Sequence, residues 1–222
     1  MNHPSGISIV IPNWDGLELL KKCLPSVIKA TQSYSANCEI IVVDNGSKDG
    51  SIDYLHSTFP QVRIISLPEN LGFSKGMNRG IKESKNRIVI SLNNDTLVKE
   101  DFIEPLVKHF FNQDVFAAGA KMLYWDKKSL AFGKATGRFR LGLLKTRFKN
   151  VPKTSDSLYA CGAAVAFDKE KFLELGGFDE EMNYWCDNDI CYRAWKRNWK
   201  TILEPKSIVY HKEESTYIKK YG

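Results

Sequence analysis

Several things are missing from this chain of 222 residues, and each absence narrows what it can be. No apolar run approaches the roughly 18 residues that crossing a bilayer as a helix requires. The N-terminus, MNHPSGISIV, has no basic segment followed by an apolar stretch and a cleavage site, so the expectation is a protein that is not exported and is cytoplasmic by default. Cysteine is sparse and unpaired. Cys23, Cys38, Cys161, Cys186 and Cys191 are an odd set without CxxC spacing, which argues against a disulfide framework and a structural zinc site and leaves them as reduced core residues. Neither GxGxxG nor GxxxxGK followed by Ser or Thr occurs, so a dinucleotide fingerprint and a P-loop are both excluded. Internal repeats, low-complexity tracts and convincing linkers are absent as well.

What is present suits one globular unit. With 43% hydrophobic and 26% charged residues, the chain can bury a substantial core and fits one domain better than two. Its net charge of +6 slightly favours anionic partners such as nucleotides or membrane surfaces, without calling for nucleic acid.

The first half alternates strand and helix patterns: ISIVIP, then Leu17, Leu20, Leu24 and Val27 at helical spacing, then EIIVVD, SIDYLHSTF, VRIISL, a glycine-spaced segment and IVISL. This alternation predicts a parallel sheet flanked by helices, with ligands beyond the carboxyl ends of its strands. Polar residues follow four strands in turn: PNWD, DNGSKD, PEN and NND. Each could be an ordinary turn, since Asn and Asp bond their own backbone. Four at one sheet edge are more than independent turns require. The second half is less regular. It predicts a helix over 102–111, strands over 115–124 and 157–167, a helix ending at Gly176 and Gly177, and an amphipathic helix over 189–198. Between them, Lys127–Lys149 reads as a loop or hairpin with eight Lys or Arg and no acidic residue.

Several residues could carry chemistry. Asp44 ends a strand where a helix begins; its carboxylate can accept the ring N–H of uracil or thymine, or simply cap the helix for about 1 kcal/mol. Gly72, Gly76 and Gly80 share one helical face, and each costs the helix roughly 1 kcal/mol relative to Ala. They imply close approach by a ligand or by a packed element. Asp187 and Asp189 in WCDNDIC stand before a helix, whose dipole favours a carboxylate and accounts for Asp189 better than Asp187.

Taken in order, VIPNWDG, IVVDNGSKDGS, ENLGFSKGMNRGI, SLNNDT, CGAAVAF, GGFDEEMNYWCDNDICYRAW and VYH resemble the family 2 glycosyltransferases with a GT-A fold, particularly the bacterial rhamnosyltransferase-like branch acting on cell-surface polysaccharides. The likeness runs from Ile7 to His211. It implies an α/β fold with a mostly parallel, Rossmann-like sheet flanked by helices and a smaller antiparallel acceptor-side portion. It also implies a single catalytic domain over 1–222, with a nucleotide-binding half (1–98) and an acceptor-binding half (99–222).

By the same resemblance, Pro12, Asn13, Trp14, Asp15 and Asp44 hold base and ribose, and Asn45, Ser47, Asn70, Gly72 and Asn78 line the nucleotide pocket. Asn93, Asn94 and Asp95 fall on the DxD motif, so Asp95 would coordinate a divalent cation, Mg²⁺ or Mn²⁺, on the diphosphate of the sugar nucleotide. Asn93 departs from that motif and removes a negative charge near the metal. His211 matches a histidine that can add a ligand, although a lone histidine is often structural. Asp187 aligns with the general base, with Cys186 replacing the usual Glu, while Gly162, Asp179, Glu180, Trp185 and Asp189 are candidates for acceptor binding.

The implied reaction is inverting transfer of a sugar from a UDP- or dTDP-sugar to a saccharide or a polyprenyl-linked saccharide. Lys127–Lys149 would either meet anionic lipid or the acceptor diphosphate, placing the protein peripherally on the inner face of the cytoplasmic membrane, or remain a solvated loop. Two other readings stay open. An inactive sugar-nucleotide-binding or scaffold module is compatible with Asn93 and Cys186. A sugar nucleotidyltransferase fits less well, because IPNWDGLELLKKC contains no Gly-rich basic loop for a triphosphate. Family members often continue into further helices, so the ending STYIKKYG is compatible with a piece of a longer protein.

Overall fold

A computed structural model describes residues 6–141, 143–182 and 184–212. The stretches MNHPS and STYIKKYG, on which the export and continuation expectations rest in part, lie outside the described residues. The apolar runs of the first half form β1 (Gly6–Asn13), β2 (Asn37–Asp44), β3 (Arg63–Ser66) and β4 (Ile88–Leu92). Between them stand α1 (Leu17–Ser33), α2 (Ser51–Thr58) and α3 (Phe73–Glu83). The strands lie in the order β3-β2-β1-β4, all parallel. β4 is buried throughout and β1 almost throughout, as near-continuous apolar strands covered on both faces must be.

α1 buries one stripe, Leu20, Cys23, Leu24, Val27 and Ala30, and carries Pro25 on its exposed side. α3 lies so close to the sheet that a Cβ on Gly80 would overlap the side chains of Val10 on β1 and Val43 on β2. Helix packing therefore accounts for Gly80. Gly76 backs against the Asn45 amide, and Gly72 caps α3 at φ 86°, a backbone conformation that disfavours any side chain.

The second half adds β5 (Thr96–Val98), α4 (Ile103–Val107), β6 (Val115–Tyr124) and β7 (Leu130–Phe132). It continues with β8 (Lys134–Arg140), β9 (Leu143–Lys149), β10 (Ser155–Asp156), β11 (Ala164–Asp168), α5 (Lys169–Glu174), α6 (Cys186–Trp195) and β12 (Lys200–His211). β11 inserts antiparallel between β4 and β6, and β12 follows parallel to β6, so one sheet crosses both halves. Two successive antiparallel pairings restore direction, and β6 and β12 point the same way as β1–β4. The consequence is that His211, at the end of β12, reaches the same rim as Asn13 and Asp44. β8 and β9 form a separate hairpin.

Three expectations about the second half need correcting. The helix expected over 102–111 is α-helical only to Val107 and closes as a 3-10 turn over Lys108–Phe111. Residues 157–163 are not strand: Ser157 and Leu158 donate their N–H groups to Thr201 and Ala135, and Gly162 donates to a side chain, so the segment is an irregular loop laid across the rim. The amphipathic helix begins at Cys186 rather than Asp189, because Trp185 takes a left-handed conformation (φ 66°) and turns the chain into the helix three residues early.

Candidate active site

Asn13, buried at the end of β1, organises the rim. Its amide nitrogen donates to Asp44 Oδ1 (3.1 Å) and to Ser47 Oγ (3.2 Å), and its oxygen accepts from Asn94 Nδ2 (2.8 Å). Asp44 Oδ2 accepts from Ser47 N (2.9 Å), and Asp15 joins through its own N–H to Ser47 Oγ (2.9 Å) and by accepting from Lys48 N (2.8 Å). Polar residues from the ends of β1, β2 and β4 thus form one mesh. Gly16 is required beside it, since a Cβ there would collide with the side chains of Asn94 and Asn13. Pro12 and Trp14 flank this corner, while Asn70 turns back to accept from Gly72 N (2.9 Å).

Asp95 lies at the neighbouring corner, almost fully buried, with Oδ1 3.4 Å from His211 Nε2. The pairing of β5 with β12 brings them together, for Thr96 stands opposite His211. Among the described residues, the side-chain oxygens of Asn93 and Asn45 are buried without a hydrogen-bond partner. A buried acceptor left unsatisfied costs roughly 1–3 kcal/mol, and the Asn93 oxygen is free to accept a hydrogen bond from a ligand or a water. No group of three or more His, Cys, Asp or Glu suited to a metal occurs among the described residues. A carboxylate and an imidazole still form a donor pair suited to Mn²⁺ or Mg²⁺, with phosphate oxygens and water left to complete the shell.

Asp187 occupies the opposite side. It sits in the first turn of α6, where Gly162 N donates to Oδ2 and Asn188 N donates to Oδ1, each at 2.9 Å. Burial raises its pKa above the ordinary aspartate value of 3.8, and those backbone donors offset part of the rise. The loop that holds it is fixed to the Asn93–Asp95 corner: Asn93 N donates to Ala163 O (3.0 Å), and Ser91 Oγ donates to Gly162 O (2.5 Å). Cys161, in the same loop, lies within electrostatic reach of both Asp187 and Asp95. The 161–163 loop therefore touches both the Asp187 carboxylate and the backbone at Asn93, two residues before Asp95.

Other candidates are differently employed. Asn78 spends its whole amide on the second half, donating to Phe178 O (2.8 Å) and Glu180 Oε1 (3.1 Å) and accepting from Phe178 N (2.8 Å). Asp189 pairs with Arg193, which donates onward to Leu175 O and Gly177 O. Asp179 accepts from Glu181 N (3.0 Å), and Trp185 stands 66% exposed beside Asp187. All five cysteines are free, and burial raises the Cys186 thiol and pushes that of Cys191 up to about 12, so neither is poised as a metal-binding thiolate. Gly16, Tyr159 and Asn188 carry site geometry without having stood out in the sequence, since only packing reveals what each touches.

The family description "glycosyl transferase family 2" matches residues 8–176. This chain belongs to glycosyltransferase family 2. An N-acetylglucosaminyltransferase of Bradyrhizobium elkanii is 28% identical over 53% of this chain and 66% of its own length. The O-antigen biosynthesis protein RfbC of Myxococcus xanthus is 25% identical over 83% of this chain and 15% of its own length. The family 2 chain thus spans less than two thirds of these relatives. Two solved structures show the same GT-A fold. GalNAc-T7 with UDP, GalNAc and Mn²⁺ has a TM-score of 0.77 at 22% identity, covering 95% of this chain and 44% of that one. A Pyrobaculum calidifontis mannosyltransferase in complex with GDP-Man and Mn²⁺ has a TM-score of 0.71 at 16% identity, covering 98% and 59%. The family match stops at residue 176, short of Asp187 and His211.

Proposed function

We propose that this family 2 chain is the catalytic domain of an inverting glycosyltransferase. It moves a sugar from a UDP- or dTDP-sugar to a saccharide or lipid-linked saccharide in cell-surface polysaccharide synthesis, with residues 1–98 serving the nucleotide and 99–222 the acceptor. The observation that carries this reading is the loop 161–163, which ties the buried carboxylate of Asp187 to the corner formed by Asn93, Asp95 and His211.

In this mechanism Asp44 and the Asn13 mesh hold base and ribose, and Asp44 retains lone pairs for the ring N–H of a uracil or thymine. Asp95 and His211 would hold a divalent cation beside the donor nucleotide. Such an ion, when bound, offsets charge building on the departing nucleotide diphosphate. Asp187 takes the proton of the acceptor hydroxyl as its oxygen attacks the anomeric carbon from the face opposite the leaving group. General-base help of this kind contributes ~10²- to 10⁴-fold. The N–H groups of Gly162 and Asn188 orient the carboxylate, and its burial makes it a better proton acceptor than a solvated aspartate. Trp185 supplies an exposed aromatic face for an acceptor sugar, and Glu180, steadied by Asn78, is a further candidate for an acceptor hydroxyl.

A turnover assay with a panel of sugar nucleotides tests this. Nucleotide diphosphate released only in the presence of acceptor and divalent cation is the expected result. Pyrophosphate release would instead indicate nucleotidyl chemistry, and cation-dependent thermal stabilisation without turnover would indicate a binding module.

A further inference from the structure

The β8–β9 hairpin has two unlike faces. Its register sets Lys134 opposite Lys149, Thr136 opposite Arg147 and Arg138 opposite Lys145, so these residues share one face. The alternate positions carry Ala135, which is buried, and Phe148, whose ring packs on Phe132 (4.5 Å) and Tyr159 (6.2 Å). The inner face thus fixes the hairpin to the body. The outer face is a cleft of about 460 Å³ lined by Thr136, Gly137, Arg138, Lys145, Arg147 and Lys149. Among the described residues, none of its cations has an ion-pair partner, and like charges set directly opposite one another destabilise a hairpin. An anionic surface would relieve that repulsion.

The tip supplies a second, independent feature. Leu141 follows β8 at φ 52° and is 92% exposed. Tight hairpin turns with positive φ favour Asn, Asp or Gly, so a leucine here is costly both to the backbone and to water. The sequence around it, FRLGLL over residues 139–144, is mostly apolar. A soluble polyanion has no use for such a tip, whereas a bilayer does. The hairpin is also joined to the candidate site, because the Tyr159 ring packs on Phe148 of β9 and its hydroxyl lies close enough to Asn188 and Asp187 for both to shift its pKa.

We propose that the β8–β9 hairpin is a membrane-docking element: its outer face of Lys134, Arg138, Lys145, Arg147 and Lys149 meets anionic lipid headgroups, and Leu141 enters the headgroup boundary. Docking would present the acceptor side of the site to the bilayer, so this inference deepens the transferase reading and rests on it for its purpose, though not for its test. No helix among the described residues is long and apolar enough to cross a membrane, and the association expected is peripheral.

The test is flotation of the whole chain, without substrates, on phosphatidylcholine vesicles with and without phosphatidylglycerol. Binding should require the anionic lipid and weaken with salt. Each cation near such a surface contributes a factor of about five, so Arg138→Gln, Lys145→Gln and Arg147→Gln together should weaken binding on the order of 100-fold. Leu141→Asn, which suits the turn and keeps the hairpin folded, should cost about tenfold by loss of an inserted apolar side chain. Vesicle binding unaffected by either variant, or absent altogether, overturns the proposal. So does a Leu141→Asn protein that binds vesicles like the parent while the triple variant loses heparin and vesicles equally, since that is general polyanion attraction. If binding fails while turnover on a soluble saccharide persists, docking alone falls; if binding holds and turnover never appears, the transferase reading falls.

Discussion

On the β1-β2-β4 rim, Asn13 binds Asp44, Ser47 and Asn94 into a mesh of side-chain hydrogen bonds, whereas across the 161–163 loop Asp187 receives only backbone N–H groups and has the exposed Tyr184 and Trp185 beside it. The first arrangement is rigid and specific, suited to a nucleotide whose shape does not vary. The second holds one carboxylate firmly and leaves its surroundings open, suited to acceptors that differ. Under the proposed function, preorganisation is placed where the ligand is constant.

The sharpest way to break this comparison is Asp187→Asn. Loss of the proposed base should lower kcat ~10²- to 10⁴-fold while donor affinity, read by isothermal titration, stays unchanged. An equal loss of donor affinity would move Asp187 to the nucleotide side. In the parent protein, the raised pKa of Asp187 sets the acid limb: activity needs the ionised carboxylate and should fall as pH drops through a midpoint above the ordinary aspartate value of 3.8. Next in size is Asp95→Ala. The parent with a UDP-sugar and Mn²⁺ at a hundredfold excess over Kd should gain about 2.7 kcal/mol, and the variant should lose most of the cation-dependent part of that shift in a thermal scan.

Asn13→Ala sharpens the contrast from the rim. It strips partners from the buried carboxylate of Asp44 and from Asn94, and should cost about 1–3 kcal/mol in denaturant unfolding even without ligand. No comparable loss is expected from Trp185→Ala, which touches solvent. A last test lies outside both regions. Burial alone would raise the pKa of Glu204, but Lys206 N, His109, Thr154 and Lys108 hold it down to about 2 from 4.5. Its folded pKa is depressed, so the stability it contributes is present above 4.5 and is lost as pH falls through about 2. Glu204→Gln should flatten the acid limb of an unfolding curve measured across that window.

Much of the proposed nucleotide side was legible as text. Apolar runs ending in Asn and Asp predicted strands that meet at one edge, and Asn13, Asp44 and Asn94 do meet there, because in a parallel sheet every strand presents the same end. The proposed acceptor side was not legible in the same way. The stretch 157–163 reads as a strand by composition, yet Gly162 and its neighbours spend their backbone groups on α6 and β4. Asn78 reads as a pocket residue, yet its amide is committed to Phe178 and Glu180.

By itself, the amino-acid sequence determined the alternation of strand and helix, the polar strand ends, and the family to which the chain belongs. These depend on local periodicity and turn chemistry, which act over a few residues. Only the tertiary structure decided that β11 reverses between β4 and β6, that β12 then delivers His211 to Asp95, and that one glycine N–H from a distant loop aims Asp187. Such pairings join residues tens of positions apart, and they are settled by packing of the whole sheet rather than by any single segment's preference.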